Sequence, residues 1–161
     1  MFRQRYFRMP VIALLISALL FPCMALSAYI DNGDGTITDT LTNLKWQKGN
    51  AQRSWYLSLR YCEELELGGY TDWRPPNIRE LESIVDYGLI APAINPIFTC
   101  GPEDYYWSST TANFSTRDVW VVDFQYGYSN TYYKGTNLFR IRCVRGGLPN
   151  CGPFLYLLLL E

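Results

Sequence analysis

No histidine occurs in the 161 residues of this chain, so the side chain that most often serves as general base and metal ligand is missing. Ser108 and Ser109 have no imidazole to activate them. Glu63, Glu64 and Glu66 fall on one predicted helix, where a solvated face is their simplest role. A two-carboxylate glycosidase would need an acid pair assembled in three dimensions, and it stands as a minor alternative. Asp31, Asp34 and Asp39 offer hard oxygen ligands, but Thr42 stands where an EF-hand loop starting at Asp31 needs its glutamate. A hairpin turn is the better reading, and no metal or cofactor is expected.

Binding chemistry is better represented than catalysis. Tyr126, Tyr128, Tyr132 and Tyr133 lie close together in an aromatic C-terminal half, and phenol rings can stack on sugars while their hydroxyls form hydrogen bonds. Cross-strand packing is the competing role for the same rings. Lys134, Arg140, Arg142 and Arg145 form the main basic concentration, and arginine forks bind sulfate or carboxylate groups bidentately. A solvated strand face paired with Asp118 or Asp123 explains them equally well. The expected ligand set is therefore Tyr126, Tyr128, Tyr132, Tyr133, Lys134, Arg140 and Arg142.

These residues need a scaffold, and an export signal comes first. Arg3, Arg5 and Arg8 precede an apolar run from Val11 to Leu26, closed by the small residues Ala25, Ser27 and Ala28; this is the pattern of a secretory leader over 1–28. Its removal leaves 133 residues, one domain with its own core. Eleven basic residues then face fifteen acidic ones, a balance that argues against nucleic acid as a partner. The expected location is secreted, periplasmic or cell-surface. Four cysteines remain, Cys62, Cys100, Cys143 and Cys151, an even number that reads as two disulfides in an exported chain.

Turn residues at Asp31–Gly35 between short apolar stretches predict an N-terminal hairpin within Tyr29–Trp46. Trp55, Leu59, Cys62 and Leu65 recur at helical spacing after Ser54, predicting a helix that runs to Gly68. The segment Gly68–Leu81 is a built turn: two glycines, then Asp72-Trp73-Arg74, two prolines, and Asn77 with Glu80 three residues on, a variant of the capping box. Asp72 and Arg74 read as structural clamps beside Trp73. The second helix turns Ile78, Leu81, Ile84 and Val85 to one side and is expected to end near Gly88. Prolines punctuate Leu89–Tyr105, a long irregular loop.

Period-two patterning follows, with strands at Tyr106–Thr110, Val119–Phe124, Tyr128–Tyr133 and Leu138–Arg145. Alternation groups Trp120, Val122 and Phe124, and puts Trp120 and Trp107 in the core. It also groups Phe139, Ile141 and Cys143 against Arg140 and Arg142. With Cys62 and Cys143 both facing inward, a Cys62–Cys143 bridge is expected, which leaves Cys100 to pair with Cys151. The last segment, 148–161, is an apolar extension too short to span a bilayer.

In order along the chain, Asp31–Asp39, Leu44–Lys48, Tyr61-Cys62, Gly69–Arg74, Glu80-Leu81, Tyr106–Thr110 and Arg142–Gly146 resemble the Lcl C-terminal domain family, over about residues 29–147. The resemblance implies an exported bacterial domain with a C-type-lectin-like α+β fold: two helices packed on a twisted, mostly antiparallel sheet with a long irregular loop. For the family's founding adhesin it implies attachment to sulfated glycans. The functional expectation is a non-enzymatic binding domain for a glycan or other surface ligand. The alternative is an envelope-assembly protein that meets a protein partner through its apolar tail. The residues do not indicate an oligomeric state.

Overall fold

The computed structural model of the protein describes residues 28–100, 105–135 and 137–146. The expected leader up to residue 27, the apolar extension and Cys151 lie outside the described residues. The elements are β1 (Tyr29–Asp31), β2 (Thr36–Asp39), β3 (Leu44–Gln47), β4 (Ala51–Arg53), α1 (Trp55–Glu63), α2 (Ile78–Glu82), β5 (Tyr105–Thr111), β6 (Asp118–Asp123), β7 (Tyr128–Tyr133), β8 (Phe139–Ile141) and β9 (Val144–Gly146). They form an α+β domain with two sheets, ordered β1-β2-β3-β9 and β4-β8-β5-β6-β7. Every described strand pair is antiparallel except β5 with β8.

The N-terminal hairpin is held by its aspartates. Asp31 Oδ1 accepts the Gly33 amide at 3.0 Å, and Asp34 Oδ1 accepts both the amide and the hydroxyl of Thr36. Asp39 does the same for Leu41 and Thr42 in the following turn. Such side-chain turns compete with extended backbone and fix where a strand ends.

Both helices are shorter than their periodicity predicts. α1 stops at Glu63, and the chain then makes a tight bridge between Leu67 and Tyr70, with Gly68 and Gly69 at φ +61° and +78°. α2 carries the full capping box: the Glu80 amide donates to Asn77 Oδ1 at 2.9 Å, and the Asn77 amide donates to Glu80 Oε2 at 2.8 Å. It ends at Glu82 because Val85 pairs with Ile94, and the Asp86 amide donates to the Ala93 carbonyl at 3.0 Å. Extended pairing with the next segment wins over one more helical turn.

The five-stranded sheet is buried on both faces, which explains a run that simple alternation misreads. Val122 and Phe124 of the β6 segment join Ile37, Trp46, Leu81 and Tyr106 in one core; Val119 and Val121 join Trp55, Trp73, Trp107 and the disulfide in the other. Trp107 is fully buried as expected. Trp120 is only half-buried and lies outside both cores, although alternation groups it with Val122 and Phe124.

Cys62 and Cys143 form the expected disulfide, with Cα atoms 5.4 Å apart and a sequence separation of 81. It joins α1 to the crossing between the two sheets. Cys100 receives the Tyr106 hydroxyl at 3.5 Å; its expected partner is the undescribed Cys151. Among the described residues no helix is long and apolar enough to cross a membrane.

Candidate ligand-binding site

The turn motif is a clamp between α2 and the last strand. Arg74 forks onto both oxygens of Glu80 at 2.7 and 2.8 Å and also donates to the Gly146 carbonyl, while its backbone exchanges two hydrogen bonds with Val144. Glu80 thus serves the helix cap and the ion pair at once. Trp73 is buried and donates to the Leu67 carbonyl. Asp72 pairs with Arg145 at 2.6 and 2.9 Å, and that guanidinium lies 3.6 Å from the centroid of the Tyr70 ring.

The hydrogen bond from Arg145 holds the Asp72 carboxyl below its ordinary value of 3.8. A lowered carboxylate pKa stabilises the fold above the unfolded value, and that contribution is lost as pH falls through the folded one. The Asp72 side chain is 61% exposed, so solvent screening limits the pair to at most about 1 kcal/mol. Asp72→Asn is expected to shift a urea midpoint only slightly at neutral pH and not at all in acid.

Two of the basic residues expected to face a ligand are interior. Arg142 has no exposed surface. Its Nη1 donates to the carbonyls of Gln47 at 2.8 Å, Gly49 at 3.0 Å and Lys48, and its Nη2 donates to Thr99 O at 2.7 Å, with the Phe98 ring 4.9 Å away. The single strand expected over Leu138–Arg145 breaks after Ile141, where the chain crosses from one sheet to the other, so alternation no longer decides which side Arg142 takes. Lys134 is also buried: Nζ donates to Thr111 Oγ1 and Thr116 O at 2.9 Å and sits 4.4 Å from the Trp55 ring. Arg140 is half-buried and donates to Asn50 Oδ1 at 2.8 Å.

The tyrosines divide as well. Tyr132 packs against Tyr105 and Phe139, with centroids 5.3 and 4.9 Å away. The Tyr105 phenol is pushed up to about 12, first by its hydrogen bond with Tyr132 and then by burial. Tyr132 is therefore committed to the interior side of the sheet. Tyr133 is exposed at the far end of β7. Tyr126 and Tyr128 are both exposed and stack on each other, with centroids 6.1 Å apart and ring planes 30° apart.

Gly127 aims that pair. It takes φ +79°, and a Cβ placed on it would meet Val85 Cγ1 at 2.8 Å and Tyr87 Cε1 at 3.4 Å. The turn is thereby pressed against the segment after α2, whose Ala91 and Ala93 amides donate to the Gln125 and Phe124 carbonyls. Tyr87, at 75% exposure, Leu89 and Ile90 continue the surface. An exposed aromatic and aliphatic platform results, with Glu82 and Asp86 beside it and no basic side chain of the expected set on it. Glu82 is fixed there by the Ser129 hydroxyl at 2.6 Å, and Asp86 accepts the Gly88 amide at 2.9 Å. Sequence reading misses Tyr87, which falls inside the second helix as expected from the periodicity, whereas the helix ends at Glu82. Gly127→Val is expected to cost about 2–4 kcal/mol, from left-handed strain and the clash with Val85, measured by urea unfolding.

A concavity of about 220 Å³ is lined by Arg53 of β4, by Leu57, Arg60 and Tyr61 of α1, and by Glu64 just after it. Arg53 covers the Tyr61 ring, and Arg60 pairs with Glu64 at 2.7 Å.

The sequence profile of the Lcl C-terminal domain matches residues 35–145, which runs from the start of β2 through both helices and all of the large sheet into β9. The chain belongs to the Lcl C-terminal domain family. A search of curated proteins returned no match. An Lcl-type domain with a disulfide marks an extracellular or surface protein of adhesin-like kind. The motifs on which the sequence resemblance rests are architectural in this structure: Asp31–Asp39 builds the hairpin turns, Gly69–Arg74 and Glu80 the clamp, Trp107 the second core, and Arg142-Cys143 the crossing between sheets.

Proposed function

We propose that this Lcl domain is a non-enzymatic binding module that holds a surface carbohydrate on the platform of Tyr126, Tyr128 and Tyr87. The single observation that carries the reading is the exposed, stacked Tyr126–Tyr128 pair on a turn whose glycine cannot be replaced without displacing its neighbours. Rings already held in place lose little conformational entropy when a sugar face docks on them. A C-type-lectin-like description of the fold is part of the proposal; the two helices, the two sheets and the irregular segment between α2 and β5 are compatible with it.

The ligand class shifts away from strongly acidic sugars. Arg142 and Lys134 are occupied internally, and Glu82 and Asp86 flank the platform, so an anionic glycan would meet like charge there. Neutral glycans are the favoured class, and binding should persist at about 0.5 M salt because little of it is Coulombic. A glycan array probed with the purified protein tests this. Tyr126→Ala with Tyr128→Ala is expected to lower bound signal at least tenfold, the loss of about 1.4 kcal/mol or more, without changing the urea midpoint. Undiminished binding by that double variant overturns the assignment of the platform. Leu89 and Ile90, 41% and 69% exposed, favour a second reading, in which the same surface meets a protein; Ile90→Asp would then abolish partner capture while any glycan signal survives.

A further inference from the structure

The outer edge of β7 carries an inference independent of the sugar platform. Among the described residues, three of the four sheet edges, β1, β9 and β4, are three residues long, whereas β7 runs for six residues, Tyr128–Tyr133. Natural edges of that length are usually blunted by lysine, proline, a bulge or a covering segment. This strand has no charged residue, proline or glycine, and it pairs with β6 in unbroken register from Asp123↔Tyr128 to Asp118↔Tyr133.

The register fixes which backbone groups point outward. The Lys134 amide donates to the Arg117 carbonyl at 3.0 Å, continuing the same ladder, so Lys134, Tyr132, Asn130 and Tyr128 address β6. Neighbouring residues in an antiparallel strand address opposite sides, so Ser129, Thr131 and Tyr133 present their N–H and C=O groups away from the sheet. Among the described residues, one weak contact touches this row, Asn137 Nδ2 to the Tyr133 carbonyl at 3.3 Å, and a carbonyl oxygen accepts two bonds.

We infer that β7 pairs antiparallel with β7 of a second copy of this chain, about a two-fold axis through Thr131, to make one continuous ten-stranded sheet. The occupant follows from the strand itself. A two-fold normal to the sheet keeps each side chain on its own face, so residues of the same parity must pair. The register centred on Thr131 sets Thr131 against Thr131 and Ser129 against Tyr133 of the other copy, joining the three outward-pointing positions to one another. Asn130 falls opposite Tyr132. No like charges meet along the strand, whereas any one-residue slip sets inward-addressed groups against outward ones. The pairing is isologous and closes at two copies, and it doubles the number of platforms, which raises avidity for a repeated surface ligand.

Light scattering with size-exclusion chromatography, from about 1 to about 200 μM protein, is expected to show dimer growing with concentration. Thr131→Asp and Thr131→Lys set like charges across the axis, and each alone is expected to stay monomeric at the highest concentration; mixed in equal amounts they are expected to recover the dimer. Hydrogen exchange on the unaltered protein adds a readout that needs no substitution, with the Thr131 and Ser129 amides slowing at least tenfold as concentration rises. A monomer throughout the range, a dimer that survives both single variants, or exchange at Thr131 independent of concentration each overturns the inference.

Discussion

Arg142→Met is expected to lower the unfolding free energy by about 3–5 kcal/mol, the cost of leaving several buried carbonyls without their donor, and so to leave the protein barely folded at 37 °C. One guanidinium gathers the carbonyls of Gln47, Lys48 and Gly49 on one nitrogen and that of Thr99 on another. Methionine fills much of the volume but leaves those acceptors unpaired, at about 1–3 kcal/mol for each one that water does not reach. Because Thr99 lies in the irregular segment between α2 and β5, the same change should loosen the loop that supports Leu89 and Ile90. Arg142→Lys should recover less than half of the loss. An ammonium is a single donor centre and cannot bridge the 47–49 bend and Thr99 with the geometry of a planar fork. Urea unfolding of both variants, read alongside proteolysis of the loop, checks the expectation. Wild-type stability in Arg142→Met would show that the four carbonyls have other partners in solution.

Reducing the Cys62–Cys143 disulfide, or replacing both cysteines with alanine, is expected to cost roughly 4–5 kcal/mol. The closed loop spans 81 residues, and in the chain-entropy account the constraint on the unfolded state grows with the logarithm of that length. The native contacts of both residues are apolar and buried, so the double alanine variant also loses a little packing. A single-domain stability of about 5–15 kcal/mol would be reduced to a margin, and the reduced protein should melt more than 10 °C lower. Retention of most of the stability after reduction would mean that the two cores and the Arg74 clamp suffice without the bridge.

Apart from β4, which no pattern announces, and the break between β8 and β9, the order of elements and the disulfide are legible in the sequence because they rest on local patterns. The hairpin is announced by Asp31–Gly35, the capping box by Asn77 and Glu80, and the inward cysteines by their spacing on a helix and a strand. The candidate site is less legible, for two physical reasons. Alternation holds only while a strand continues, and the chain leaves the large sheet after Ile141, which carries Arg142 inward. A sheet with two buried faces also removes the contrast on which alternation depends, as at Trp120. Exposure of Tyr126 and Tyr128, commitment of Tyr132 to Tyr105, and the approach of Tyr87 to Gly127 all depend on how the segment after α2 folds back over the β6–β7 turn, and residues so far apart in sequence carry no local sign of meeting.

The central claim is that an uncharged aromatic surface, rather than a basic one, binds the ligand. Its most direct test is a glycan array run with the unaltered protein and with Tyr126→Ala/Tyr128→Ala, each at low salt and at about 0.5 M salt. The predicted result is binding to neutral glycans that survives salt and disappears with the two tyrosines. Binding confined to sulfated glycans, abolished by salt and indifferent to the tyrosines, would contradict it.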